Sequence, residues 1–335
     1  MEKTVPSITV IIPARNSRNT LAEVMAPLLA EITDSDEIIV VDDRSGDGTG
    51  SLAREMGARV VPSTGRPGAA GARNSGAAHA KGDWLLFVDS DAVAPAGWRE
   101  KLLSRVKEGC TAVQASYSPR AAGEGAATFY KNFYYFYTFT RRIKTRHIRG
   151  CGTFFFAVER MVFESLGGFD DNIPGATVED ADFAARLAGA GHRILLAPEI
   201  LVFHLREYTF PDLMRYDWRM MVSKTLYFLR RDSSHGSASV SMASPAEMKS
   251  LLLGAPGIWL IPAGLAAAAE WSPGLWIAVA GFLLVAAGHA AFWFSAVRRG
   301  GLRGLRASLL TLPDLALVLP ALAAGCIRFL GGRRY

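Results

Sequence analysis

Cysteine is scarce. Cys110, Cys151 and Cys326 are the three in 335 residues. They lie too far apart for a C-x-x-C zinc site and are too few for a disulfide framework. A phosphate-cradling G-x-x-x-x-G-K-[ST] loop is also missing. The glycines that follow Asp42 and Asp43 run Gly46-x-Gly48-x-Gly50 instead of G-x-G-x-x-G, which excludes the dinucleotide fingerprint. No secretory signal opens the chain, because residues 7–12 are apolar for only a strand's length before Pro13-Ala14-Arg15-Asn16. The expectation is that the N-terminal part stays in the cytoplasm.

Disorder is excluded by composition: half of the residues are hydrophobic and the mean hydropathy is +0.17. The net charge of +6 is unevenly spread. Residues 1–250 hold 30 basic and 29 acidic side chains, whereas residues 251–335 hold seven arginines, Glu270 and Asp314. These arginines flank apolar segments, which points to a membrane surface and not to nucleic acid. Residues 251–269 and 275–297 carry no charge, and residues 308–327 carry only Asp314. A span needs roughly 20 apolar residues. The first two stretches qualify; in the third, Asp314 is costly in lipid and Pro313 and Pro320 are expected to break the helix. Arg298, Arg299, Arg303 and Arg306 between the second and third stretches are expected to face the cytoplasm. Two crossings before that loop then leave the N-terminal domain cytoplasmic, in a multi-pass protein of the cell membrane.

The first ninety residues alternate in kind. Residues 8–12, 38–41, 60–61 and 83–88 read as strands. The segments around 19–32, 51–56 and 70–80 read as helices. This alternation predicts an α/β fold with a mostly parallel sheet flanked by helices. Polar residues collect where strands end, which is where open α/β sheets bind ligands. In residues 129–149 a dense aromatic run is followed by Arg141, Arg142, Lys144, Arg146 and Arg149. That pattern fits an aromatic core helix and a lipid-interface segment equally well. The expected domains are 1–232, a linker or interfacial segment at 233–250, and a membrane region at 251–335. A chain ending near residue 250 is expected to fold by itself.

Three strand-end and helix-start clusters carry the chemistry. Asp89-Ser90-Asp91 follows a buried strand, so both carboxylates are free to converge on one hard cation, Mg²⁺ or Mn²⁺. Asp42-Asp43 follows another strand and offers acceptors for a base or ribose. Glu179-Asp180 stands at a helix start, where a carboxylate becomes a general base if it faces the metal site.

Together these elements resemble family 2 glycosyltransferases of the GT-A fold, from Ile8 to about His204. The resemblance rests on Val10-Ile11-Ile12-Pro13-Ala14-Arg15-Asn16, Val40-Val41-Asp42-Asp43-Arg44-Ser45, Gly71-Ala72-Arg73-Asn74-Ser75-Gly76 and Phe87-Val88-Asp89-Ser90-Asp91. It continues through Gly152-Thr153-Phe154, Leu166-Gly167-Gly168-Phe169-Asp170, Glu179-Asp180-Ala181-Asp182 and Val202-Phe203-His204. The resemblance implies that Pro13, Ala14, Arg15, Asn16, Asp42 and Asp43 bind the nucleoside part of a sugar donor. It implies that Arg73 lies near the donor phosphates, and that Asp89, Ser90 and Asp91 hold ribose and metal–diphosphate. His204 would complete the metal site. Asp180 would be the base that deprotonates the acceptor, giving inversion at the sugar carbon. The implied partners are a UDP- or GDP-linked sugar and, given the apolar C-terminal stretches, a lipid or lipid-linked acceptor.

Processive members of the family carry Gln-x-x-Arg-Trp, and this chain has Arg215-Tyr216-Asp217-Trp218-Arg219 instead. Transfer of a single sugar is therefore expected. The alternative is a membrane-anchored nucleotide-sugar binding protein without turnover, which the presence of both Asp-x-Asp and Glu-Asp disfavours. A transporter is disfavoured because two or three spans leave little room for a pathway.

Overall fold

A run of β-branched residues buried on both faces makes Ile8–Ala14 a central strand, β1. In the computed structural model, which describes residues 5–230 and 245–332, it begins an alternating series. Helix α1 (Arg18–Leu29), β2 (Glu37–Asp42), α2 (Thr49–Glu55), β3 (Arg59–Pro62), α3 (Ala69–Ala77) and β4 (Trp84–Val88) follow. Strands β3, β2, β1 and β4 lie side by side and parallel, as the alternation predicts. Helix α3 packs closely on this layer at Gly76, where a Cβ would come within 2.5 Å of Ile11 and 2.9 Å of Val41.

Beyond β4 the sheet changes direction. The remaining elements are β5 (Ala92–Val93), α4 (Trp98–Val106), β6 (Ala112–Ala121), α5 (Ala126–Tyr137), β7 (His147–Ile148), β8 (Phe155–Glu159), α6 (Arg160–Ser165), α7 (Glu179–Gly189) and β9 (Ile194–His204). The sheet order is β3-β2-β1-β4-β8-β6-β9-β5, with β7 on β9. Strand β8 runs antiparallel to both β4 and β6, and β5 and β7 run antiparallel to β9. The sheet is therefore mixed, with its parallel half at the N-terminal end of the sequence. Its core includes Ile11, Val41, Phe87, Phe156 and Phe183.

The chain divides into two compact units. The first comprises residues 5–118 and 144–206, and the second comprises 119–143, 207–230 and 245–332. The second unit contains α5, a π-helical turn at Thr138–Arg142, α8 (Phe210–Arg230), α9 (Pro245–Ala268), α10 (Gly274–Leu309) and α11 (Thr311–Leu330). Most of the expected linker, residues 233–244, lies outside the described residues; residues 245–250 begin α9.

The aromatic run settles as a core helix on its buried side. Tyr130, Phe133, Tyr134 and Tyr137 of α5 surround Phe292 of α10, with ring centroids 5.4–6.4 Å away. Val222 and Leu226 of α8 pack on Ala321 of α11. Helices α9 and α10 meet through facing glycines; a Cβ on Gly257 would come within 2.7 Å of the Gly281 carbonyl.

The third apolar stretch is not broken by its prolines. Pro313 falls in the first turn of α11, where its missing N–H has no helical partner to lose, and α11 continues through Pro320. Asp314 has a partner inside the protein: the Tyr130 hydroxyl donates to its Oδ2 at 2.7 Å. The break falls earlier, at Gly301 of α10 (φ 52°, ψ −129°), a conformation that favours glycine.

Residues Ser250–Ala268 and Gly274–Leu330 form helical stretches long and apolar enough to cross a membrane. In their most apolar windows 22% and 28% of residues are buried within the protein. Trp271, Trp276, Phe282, Leu283 and Phe294 are exposed.

The packing of α5 and α8 changes one expectation. A chain ending at residue 250 would strip Phe133 and Leu226 of their α10 and α11 partners. Such a truncation is expected to aggregate instead of folding by itself, as size-exclusion chromatography would show. A monodisperse monomer with native helix content would contradict this packing argument.

Candidate active site

The pleat and pairing of four strands gather the polar clusters at one edge of the first unit. Asp89, Ser90 and Asp91 leave the end of β4, and Val88 is paired with Phe155 of β8. Since β8 is antiparallel, the residues just before it lie alongside this strand end. The Asp89 N–H accordingly donates to the Phe154 carbonyl at 3.3 Å. Strand β5, which starts directly after Asp91, pairs with the end of β9 so that Ala92 faces His204. The Leu205 N–H donates to the Asp91 carbonyl at 2.8 Å, and His204 Nε2 lies 3.4 Å from Asp91 Oδ2. Tyr117 of β6 stacks on Phe154 at 3.8 Å and approaches the His204 ring at 5.1 Å. It forms a buried wall behind the histidine.

Arg73 of α3 is the junction of the site. Its Nη2 donates to Asp89 Oδ1 at 2.7 Å and its Nη1 to Glu179 Oε1 at 3.0 Å. Glu179 also accepts from the Thr177 N–H at 2.7 Å. The resemblance put Arg73 beside the donor phosphates. The structure buries it to 2% exposure, with both terminal nitrogens on carboxylates, one of them Asp89 of the Asp-x-Asp pair. These two bonds tie the start of α7 to the end of β4. Asp180 follows Glu179 directly and is half-buried. The Cys151 thiol donates to its backbone carbonyl at 3.3 Å, and Gly152 is fixed by Gln114 Oε1, which accepts from its N–H at 2.7 Å. Burial and the nearby Asp180 charge push the Cys151 thiol well up, so it is a protonated donor.

Replacing Arg73 by Met would leave Asp89 and Glu179 facing each other without compensation. Breaking a buried pair from one side costs about 3–5 kcal/mol. Arg73→Met is expected to lose stability on that scale in urea denaturation. A loss under about 1 kcal/mol would show that the two carboxylates do not depend on the guanidinium.

The nucleoside-side residues are less uniform than the motif suggests. Ala14 is buried, and its carbonyl accepts from the Asp43 N–H at 2.8 Å. Pro13 is half-buried, and Arg15 and Asn16 are exposed. Asn16, in the left-handed region at φ 50°, accepts at Oδ1 from the Gly46 N–H at 2.9 Å. Its own N–H donates to Ser45 Oγ at 3.0 Å. Asp42, opposite Ala14 in the register, accepts from the Ser45 N–H at 2.9 Å. Asp43 is buried, pairs with Arg44 and accepts from the Gly68 N–H at 3.0 Å. It ties two loops together. The Ser17 and Ser90 hydroxyls meet at 2.8 Å, and Thr20 Oγ1 donates to the Ser90 carbonyl at 2.7 Å. These bonds link the Asp42–Asn16 cradle to the Asp89–Asp91 end.

The electrostatics suit a cation shared with a ligand. Burial pushes the Asp89 carboxyl above its ordinary range; the Arg73 charge opposes this and the Asp91 charge adds to it. Burial acts upward on Asp91 as well, but the His204 hydrogen bond and the His204 and Arg206 charges outweigh it and hold that carboxyl low. Among the described residues, no group of three or more His, Cys, Asp or Glu forms a protein-only metal cage. Mg²⁺ and Mn²⁺ do not need one at a diphosphate, where one or two carboxylates suffice with phosphate oxygens. Two hard carboxylates with an imidazole alongside fit that use.

Residues 9–167 match the family model "Glycosyl transferase family 2". The O-antigen chain rhamnosyltransferase WbaN of Salmonella anatum is 27% identical over 281 residues, 79% of this chain and 87% of that protein. Glycosyltransferase GlyG of Streptococcus pneumoniae is 33% identical over 106 residues, 30% of this chain and 35% of GlyG. The pre-mycofactocin glycosyltransferase of Mycobacterium tuberculosis is 27% identical over 208 residues, 59% of this chain and 42% of that protein. The chain thus spans less than half the length of the latter two relatives. Among solved structures, the mannosyltransferase PcManGT of Pyrobaculum calidifontis, in complex with GDP-Man and Mn²⁺, aligns with a TM-score of 0.56 and 23% identity. That alignment covers 98% of this chain and 88% of PcManGT. At this identity the likeness carries the fold, which is GT-A.

Proposed function

From the match of residues 9–167 to the glycosyl transferase family 2 model, we propose that the chain is an inverting glycosyltransferase. In this reading it moves one sugar from a UDP- or GDP-linked donor to a lipid or lipid-linked acceptor. The catalytic unit is cytoplasmic, and the apolar helices of the second unit anchor the chain in the cell membrane as a multi-pass protein.

The observation that supports this reading most is the Asp89–Arg73–Glu179 junction. It ties the Asp-x-Asp strand end to the helix whose second residue is the candidate base, Asp180. Asp89 and Asp91, with His204 alongside, would hold a divalent cation, which supplies charge neutralisation for a leaving diphosphate. The loops at Pro13, Ala14, Arg15 and Asn16 and at Asp42 hold the nucleoside, with Asp43 bracing them. Arg73 keeps the Asp89 carboxylate in one orientation. Asp180 accepts the acceptor hydroxyl proton as the oxygen attacks the face of the sugar carbon opposite the departing diphosphate. One base beside one attacking oxygen gives a single displacement, and hence inversion.

NMR of the anomeric centre in the product tests the mechanism. A configuration opposite to that of the donor is expected. A retained configuration overturns the single displacement. Tight donor binding without any product would favour the non-catalytic binder instead.

A further inference from the structure

The second unit holds a cavity of 480 Å³ lined by Arg141, Phe294, Ser295, Arg298 and Arg299. Three of these five residues are arginines from two different elements, the π-helical turn and α10. No ion pair joins any of the three to a carboxylate among the described residues. Arg303, beyond the Gly301 break, contrasts with them: it is spent on Glu124 and the Gly123 carbonyl, each at 3.0 Å. Three exposed arginines that line one cavity gain most from an anion that accepts from several at once.

The surroundings define the anion further. Arg299 lies over the Phe136 ring at 4.7 Å, and the neighbouring Arg142 lies over Tyr134 and Tyr137 at 5.5 and 5.4 Å. Arg142 also donates to Ser250 Oγ at 3.2 Å. Exposed Phe294 gives the cavity one apolar wall. From exposed Trp276 to Arg298 the helix rises roughly 33 Å at 1.5 Å per residue, close to the thickness of a hydrocarbon core of about 30 Å. Tryptophan at one boundary and arginine at the other place the cavity at headgroup depth.

We propose that this cavity binds the phosphate group of a membrane lipid, with the arginines on the phosphate and Phe294 against the start of the acyl chain. The inference rests on the membrane reading of α9, α10 and α11 given above.

The test uses the full chain purified in detergent, titrated in native mass spectrometry with phosphatidic acid and with phosphatidylcholine of the same acyl chains. Phosphatidic acid is expected to bind at least about tenfold more tightly, because its phosphate accepts from several guanidinium groups while phosphatidylcholine carries its own cation. Arg141→Gln, and separately Arg298→Gln with Arg299→Gln, are each expected to reduce that preference to within about twofold. Should a glutamine variant fail to fold, Arg298→Lys with Arg299→Lys keeps the charge and is expected to keep most of the preference. Equal binding of the two lipids by the native chain, or an undiminished preference in folded glutamine variants, overturns the inference. Inorganic phosphate that binds as tightly as phosphatidic acid would assign the site to a free anion and overturn the lipid source. Flotation with neutral phosphatidylcholine vesicles separates the two readings. Failure to enter such vesicles overturns the membrane reading and this inference with it. Entry without a phosphatidic acid preference overturns the inference alone.

Discussion

Asp180→Asn is expected to cut turnover at saturating donor and acceptor by at least about 100-fold, the usual scale for a lost general base. The substitution keeps the size and the hydrogen-bonding shape of the side chain, so the N–H of Ala181 still finds an acceptor where it now meets Asp180 Oδ1 at 2.7 Å. What is lost is the capacity to take a proton. Donor affinity is expected to stay within about twofold, since the residue acts on the acceptor. Steady-state kinetics with separate donor titration distinguishes the outcomes. A collapse of donor affinity with kcat preserved would make Asp180 a binding residue and remove it from the proton transfer.

Asp91→Asn is expected to have an effect of at least similar size, at least about 100-fold in kcat/KM, but through donor and cation. The neutral amide is a poor ligand for Mg²⁺ or Mn²⁺ and also removes the ionised partner of His204, which lies 3.4 Å from Asp91 Oδ2. The fold should survive. Asp91 stands at a strand end, and its backbone carbonyl, not its side chain, receives the Leu205 N–H that joins β5 to β9. Excess chelator should reproduce the loss in the native chain, and added Mn²⁺ should restore it. Full activity in chelator, or an unchanged Asp91→Asn enzyme, would contradict a cation at this strand end.

The parallel half of the sheet was legible because β1, β2 and β4 are near-continuous apolar runs, each ending in polar residues. The second half was not. Strand β6 buries Gln114 and Ser116, and β9 contains Pro198 and Glu199, so neither shows the apolar run or clean alternation that marks a strand. Yet these two strands supply Tyr117 and His204. The position of His204 depends on the two-residue strand β5, too short to signal itself. Arg73 illustrates a different limit. The resemblance sets Arg73 near a donor, and nothing nearby in sequence announces that it also pairs with Glu179, 106 residues away. A buried ion pair is fixed by packing, not by spacing.

The same limit applies to the second unit. The aromatic run at Phe129 to Tyr137 was visible, but its partner Phe292 belongs to an apolar helix that sequence assigned to the membrane. Asp314 is isolated in an apolar stretch by sequence, and its partner, the Tyr130 hydroxyl, lies 184 residues away. Lys131 of α5 likewise pairs with Asp217 of α8, 86 residues away.

The central claim is single sugar transfer from a nucleotide sugar to a membrane-associated acceptor, and stoichiometry tests it most directly. The purified full chain is incubated with UDP- and GDP-sugars, Mn²⁺ and a lipid extract. Nucleoside diphosphate release is then measured alongside the mass of the lipid product. The account predicts one diphosphate released for each lipid molecule that gains one sugar. Donor bound without diphosphate release, diphosphate released without a glycosylated lipid, or products carrying a ladder of added sugars would each contradict it.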